Sequence, residues 1–69
     1  MHFKLKKLRE SKNYSQEYMA FQLKIEQSSY SRIEAGTIKL DLNRLKAIAR
    51  ILDLEFHTLI DILEGNIAK

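Results

Sequence analysis

Four side chains in the stretch from Ser15 to Gly36 could do chemistry on a partner: Gln27, Ser28, Ser31 and Arg32. They offer an amide, two hydroxyls and a guanidinium, and their spacing projects them away from the apolar positions around them. Groups of this kind donate and accept hydrogen bonds without transferring atoms. On the outer face of a short helix they match the base edges of a DNA major groove. The chemistry of an enzyme is missing. Ser28 and Ser29 have no adjacent base, and no Gly-rich loop offers a cradle for a nucleotide phosphate. His2 and His57 stand at opposite ends of the chain without a clear third ligand, and read as surface histidines. The expectation is no catalysis, no metal and no cofactor.

To present such a face, Ser15–Gly36 must fold as two short helices joined by a tight turn. Met19, Ala20, Leu23, Ile25, Tyr30 and Ile33 supply its apolar positions. Leu23 and Ile25 plug the corner, and Ala20 sits where the crossing helices come closest. Ser15 is a good N-cap, with Tyr14 and Met19 in the positions of a hydrophobic staple. Glu17 suits the first turn of the second helix, about 16–22. Glu26 serves as cap or first-turn residue of the third helix, 27–35, and Gly36 ends it.

The rest of the chain supports this pair. A first helix, about 3–11, turns Leu5 and Leu8 inward and its lysines outward, and Asn13 stops it. After a loop over 37–40, Asp41 caps a fourth helix, about 42–52. Leu42, Leu45, Ile48, Ala49 and Leu52 form its inward stripe. A short turn at Asp53-Leu54 leads to a fifth helix, about 56–63, which Gly65 stops; it presents Phe56, Leu59, Ile60 and Leu63. The expectation is an all-α, compact five-helix domain over residues 1–69, with its core at about 3–64 and a tail at 65–69.

Composition agrees. The 69 residues contain no cysteine, no proline and two glycines, which favours helices with short turns and excludes a disulfide framework. No apolar run approaches membrane-spanning length, and Met1–Lys12 does not read as a signal peptide, so a cytoplasmic protein is expected. The net charge of +3 is uneven: Lys4, Lys6, Lys7, Arg9 and Lys12 face only Glu10 in the first helix. Such a patch attracts polyanions, but a solvated lysine face reads the same way.

The stretches LKKLRESKNYSQEYMA, YSRIEAG and LNRLKAIARILDL resemble the Cro/cI-like helix-turn-helix family, also called the XRE family. The similarity runs from about Leu5 to Leu63, with the motifs at the right separations. It implies a phage-repressor-type domain with the helix-turn-helix at helices two and three, binding double-stranded operator DNA, usually as a two-fold homodimer. By position, Gln16 would contact the DNA backbone, with its amide in reach of Gln27. Gln27 and Ser28 would touch bases, Arg32 a guanine or a phosphate, and Ser31 and Lys39 phosphates. Arg9 and Glu34 match positions that pair in related domains and carry a structural role.

The chain departs from that pattern in three places. Lys24 stands at the turn position usually given to glycine. Leu40 replaces a common loop proline. Phe21 lies on a usually polar face of the second helix and is expected to pack on the first helix near Phe3, with exposure as a partner surface as its alternative. Ile60, Ile62, Leu63 and Ile67 exceed what one face of a short helix needs, which suggests a dimer or partner surface. The competing function is therefore an antitoxin or adaptor module that chiefly binds a protein partner.

Overall fold

The computed structural model describes residues 2–64, which form α1 (His2–Ser11), α2 (Gln16–Leu23), α3 (Gln27–Ala35), α4 (Leu42–Ile51) and α5 (Phe56–Glu64). The expected all-α fold is present, and each helix lies within two residues of its expected bounds. Leu5, Met19, Tyr30, Ile33, Ile48, Leu52 and Leu59 are fully enclosed and draw on all five helices and the turn after α4. Ala20 is buried where α2 meets its neighbours, and its lack of side-chain bulk permits their approach.

The ends of α1 to α4 follow a single device. Asn13, Lys24, Gly36 and Asp53 all adopt the left-handed conformation, with φ of 62, 61, 84 and 60°. At each, the next residue donates its N–H back five positions: Tyr14 to Arg9, Ile25 to Ala20, Thr37 to Arg32, Leu54 to Ala49. These paired closures are Schellman motifs, which satisfy the last carbonyls of a helix. Tyr14, Ile25 and Leu54, the residues just after three of these turns, pack partly buried on the core. Asparagine and aspartate tolerate this conformation, and Gly36 adopts it without steric penalty. Lys24 does so at a strain of about 1 kcal/mol.

Helix starts differ from one another. Ser15 Oγ accepts from the Tyr18 N–H at 2.9 Å, and Asp41 Oδ1 accepts from the Arg44 N–H at 2.7 Å. Glu26 occupies the N-cap position of α3 but makes no side-chain cap hydrogen bond. Tyr14 packs half-buried on the core cluster that includes Met19, and its ring also lies 4.5 Å from that of Tyr18 between centroids.

Two apolar expectations are overturned. Leu42 is 56% exposed, because burial deepens only further along the stripe, through half-buried Leu45 to fully buried Ile48. The first turn of α4 thus overhangs the core. Phe21 is 76% exposed and does not pack inward. Met19 and Ala20 define the buried side of α2, and Phe21 lies one residue, about 100° of helix, past them. The side chain of Phe3 falls outside what the structure describes, as do Gly65 and Ile67. Leu40 packs half-buried on the core in the loop where a proline is common.

Candidate nucleic-acid interface

The inner side of α3 carries Tyr30, Ile33 and Glu34, all buried. Burying a carboxylate requires partners, and Glu34 has three donors. Arg9 Nε reaches Oε2 at 2.6 Å and Arg9 Nη2 reaches Oε1 at 3.2 Å, a two-point contact between side chains that are 8% and 5% exposed. Gln16 Nε2 donates to Oε1 at 3.0 Å. Arg9 also donates through Nη1 to the Tyr14 carbonyl at 2.8 Å. One guanidinium therefore ties together α1, the turn before α2, and α3.

The electrostatics follow from these contacts. Burial by itself would raise the pKa of Glu34, but hydrogen bonds from Arg9 and then Gln16, with the charge of Arg9, outweigh it and hold the carboxyl below its usual range. The hydrogen bond to Glu34 raises Arg9 in turn. The Tyr30 hydroxyl is buried beside the pair without an aligned hydrogen bond. Burial first, and then the proximity of the Glu34 carboxylate, raise its pKa well above that of a free phenol.

The outer side of α3 is the converse. Gln27, Ser28, Ser31 and Arg32 are all exposed, at positions that repeat along one helical face. Lys24 precedes α3 and Lys39 follows it, both exposed. Because Glu26 leaves the start of α3 without a side-chain cap, its first backbone N–H groups stay available to water or an anion. Gln16 stands apart from the four outer residues. It is half-buried, and its amide donates to Glu34, not to Gln27. Sequence reasoning missed this link because residues 16 and 34 are distant along the chain, and only the crossing of α2 and α3 brings them together.

A helix-turn-helix family model matches residues 5–59, which takes in α2, the Lys24 corner and α3 together with most of the supporting helices. The chain belongs to the Cro/cI-like helix-turn-helix family. This is a family of DNA-binding regulators, and the match spans more than the two helices that define the motif. No curated protein and no solved structure matches the chain.

Other features of the helix-turn-helix domain lie away from α3. His57 sits 3.4 Å from Glu55, and both are exposed. An apolar cleft of about 510 Å³ opens between the 36–40 loop, α4 and the end of α5, and Ile38, Leu40, Leu45, Ile60 and Leu63 line it. Among the described residues, no helix is long and apolar enough to cross a membrane.

Proposed function

We propose that this chain is a sequence-specific transcriptional regulator that binds operator DNA as a symmetric homodimer, with α3 in the major groove. One observation carries the reading: α3 exposes Gln27, Ser28, Ser31 and Arg32 along one face while its opposite face is anchored through Glu34. A base-reading helix needs this combination, because readout depends on donors and acceptors held in register with the base edges. Gln27 pairs with adenine through its amide, and Ser28 adds weaker discrimination. Arg32 reaches a guanine in the same groove. Ser31, Lys39 and Gln16 contact the phosphate backbone, which sets register and carries no sequence information. Arg9 and Glu34 hold the helices and do not touch DNA.

Dimerisation suits a domain of this size, since one short helix reads few base pairs. The apolar cleft bordered by Ile60 and Leu63 supports a surface for a second copy. Two copies related by a two-fold axis would set their α3 helices about 34–36 Å apart, one turn of DNA. Repression by occupancy of an operator, in the cytoplasm and without a cofactor, is the simplest activity for such a dimer.

Selection of bound duplexes from random DNA tests this directly, with a Gln27→Ala, Arg32→Ala double variant run beside the parent. The expected outcome is an enriched palindrome from the parent and none from the variant. A folded parent that enriches nothing would overturn the reading. The exposed Phe21 would then make a protein partner, as for an antitoxin or adaptor, the reading to pursue.

A further inference from the structure

We infer that Glu34 is a positioning residue for DNA-backbone binding, acting through the side-chain amide of Gln16. The inference rests on the DNA-binding reading above and adds to it a link between the buried ion pair and the phosphate contact. Gln16 is the first residue of α2, directly after its N-cap Ser15, and is half-buried at the end of that helix. Its Nε2 donates to Glu34 Oε1 at 3.0 Å, and its side chain makes no other hydrogen bond among the described residues.

An amide nitrogen carries two N–H groups, and its oxygen is an acceptor only. A carboxylate can accept from the nitrogen but not from the oxygen, so Glu34 decides which way the Gln16 amide is turned. One N–H is taken by the carboxylate, and the second is left as the donor that a phosphate oxygen can accept. The amide nitrogen then bridges two anions. Arg9 makes this workable, because its two-point contact offsets the charge of Glu34 and limits its repulsion of a phosphate. A loose glutamine must surrender rotamer freedom when it binds, whereas one already held surrenders less. Glu34 therefore lowers the entropic demand of a contact it does not itself make.

A double-mutant cycle reads this coupling. Gln16→Ala is introduced into the parent and into an Arg9→Met, Glu34→Met background. That background replaces the pair with apolar side chains of similar length, a change that buried pairs often tolerate. Binding to a mixed-sequence duplex of about 20 base pairs is measured at low salt, where backbone contacts dominate. In the parent, Gln16→Ala should weaken binding about fivefold, the loss expected when one ordered contact is removed. The loss should be alike on every duplex sequence. The salt slope should not change, because no phosphate-neutralising charge is removed. In the apolar background the same substitution should change binding by less than about twofold.

Equal losses in the two backgrounds, or no loss in the parent, would overturn the inference and leave the DNA-binding reading standing. A folded parent that binds no duplex would overturn that reading and the inference with it. Should the apolar background fail to fold, relaxation of the Gln16 side-chain amide in the DNA-free parent decides. An order parameter of about 0.6 or more supports prior positioning, and one below about 0.6 overturns it.

Discussion

The two sides of α3 carry comparable polar chemistry and use it in opposite ways. Inward, Glu34 is enclosed with Arg9 and Gln16 and lies beside the Tyr30 hydroxyl. Outward, Arg32 is exposed, and its side chain makes no hydrogen bond among the described residues. Two arginines of identical chemistry thus stand in unlike surroundings. Arg9 directs three hydrogen bonds, from Nε, Nη1 and Nη2, at Glu34 and the Tyr14 carbonyl. Arg32 leaves its donors facing solvent. Direction relative to the core, not residue type, separates the buried, paired group from the exposed one.

The sharpest way to break this contrast is to remove the inner carboxylate. Glu34→Ala leaves the Arg9 charge buried without its partner, a loss of about 3–5 kcal/mol. A chain of this length has a total stability of only about 3–10 kcal/mol. A large fall in the thermal midpoint is expected, and an unchanged midpoint would show that the pair does not hold the fold.

The outer side should behave in the reverse manner. Gln27→Ala should leave the melting temperature unchanged and reduce discrimination at one base pair by about 1–3 kcal/mol. Competition between matched and mismatched duplexes measures this. Equal weakening on all sequences would assign Gln27 to the backbone instead.

Acid sharpens the comparison by titrating the inner carboxylate in place. Because the folded-state pKa of Glu34 is depressed, its contribution is fully present above the unfolded carboxyl value of about 4.3 and is lost as pH falls through the lower folded value. The parent should therefore lose stability across this range more steeply than the Arg9→Met, Glu34→Met variant. Parallel pH profiles from thermal melts would contradict the assignment.

The smallest effect belongs to the corner. Lys24→Gly removes side-chain strain at φ of 61°, while the added freedom of glycine in the unfolded chain offsets part of the gain. A net stabilisation of up to about 1 kcal/mol is expected from chemical denaturation. A loss would show that the lysine side chain contributes contacts that outweigh the strain.

Much of this was legible in the order of residues, because it depends on near neighbours. Ser15 and Asp41 cap the helices that follow them, and Asn13 and Gly36 end the helices before them, since capping joins groups a few residues apart. The outward face of α3 was likewise readable, as the complement of Tyr30 and Ile33. The likeness to related domains brought Arg9 and Glu34 together, which local pattern could not do across twenty-five positions. Two apolar side chains misled. Hydrophobicity tells that Phe21 and Leu42 prefer burial, but whether a neighbour is there to cover them depends on where the helices end and cross. The amide of Gln16 gives the clearest division. Its place at the start of α2 follows from Ser15 before it, whereas its partner depended on the crossing of α2 with α3. Hydrogen bonds between side chains have a reach of about 3 Å, so only the assembled helices could choose Glu34 over Gln27.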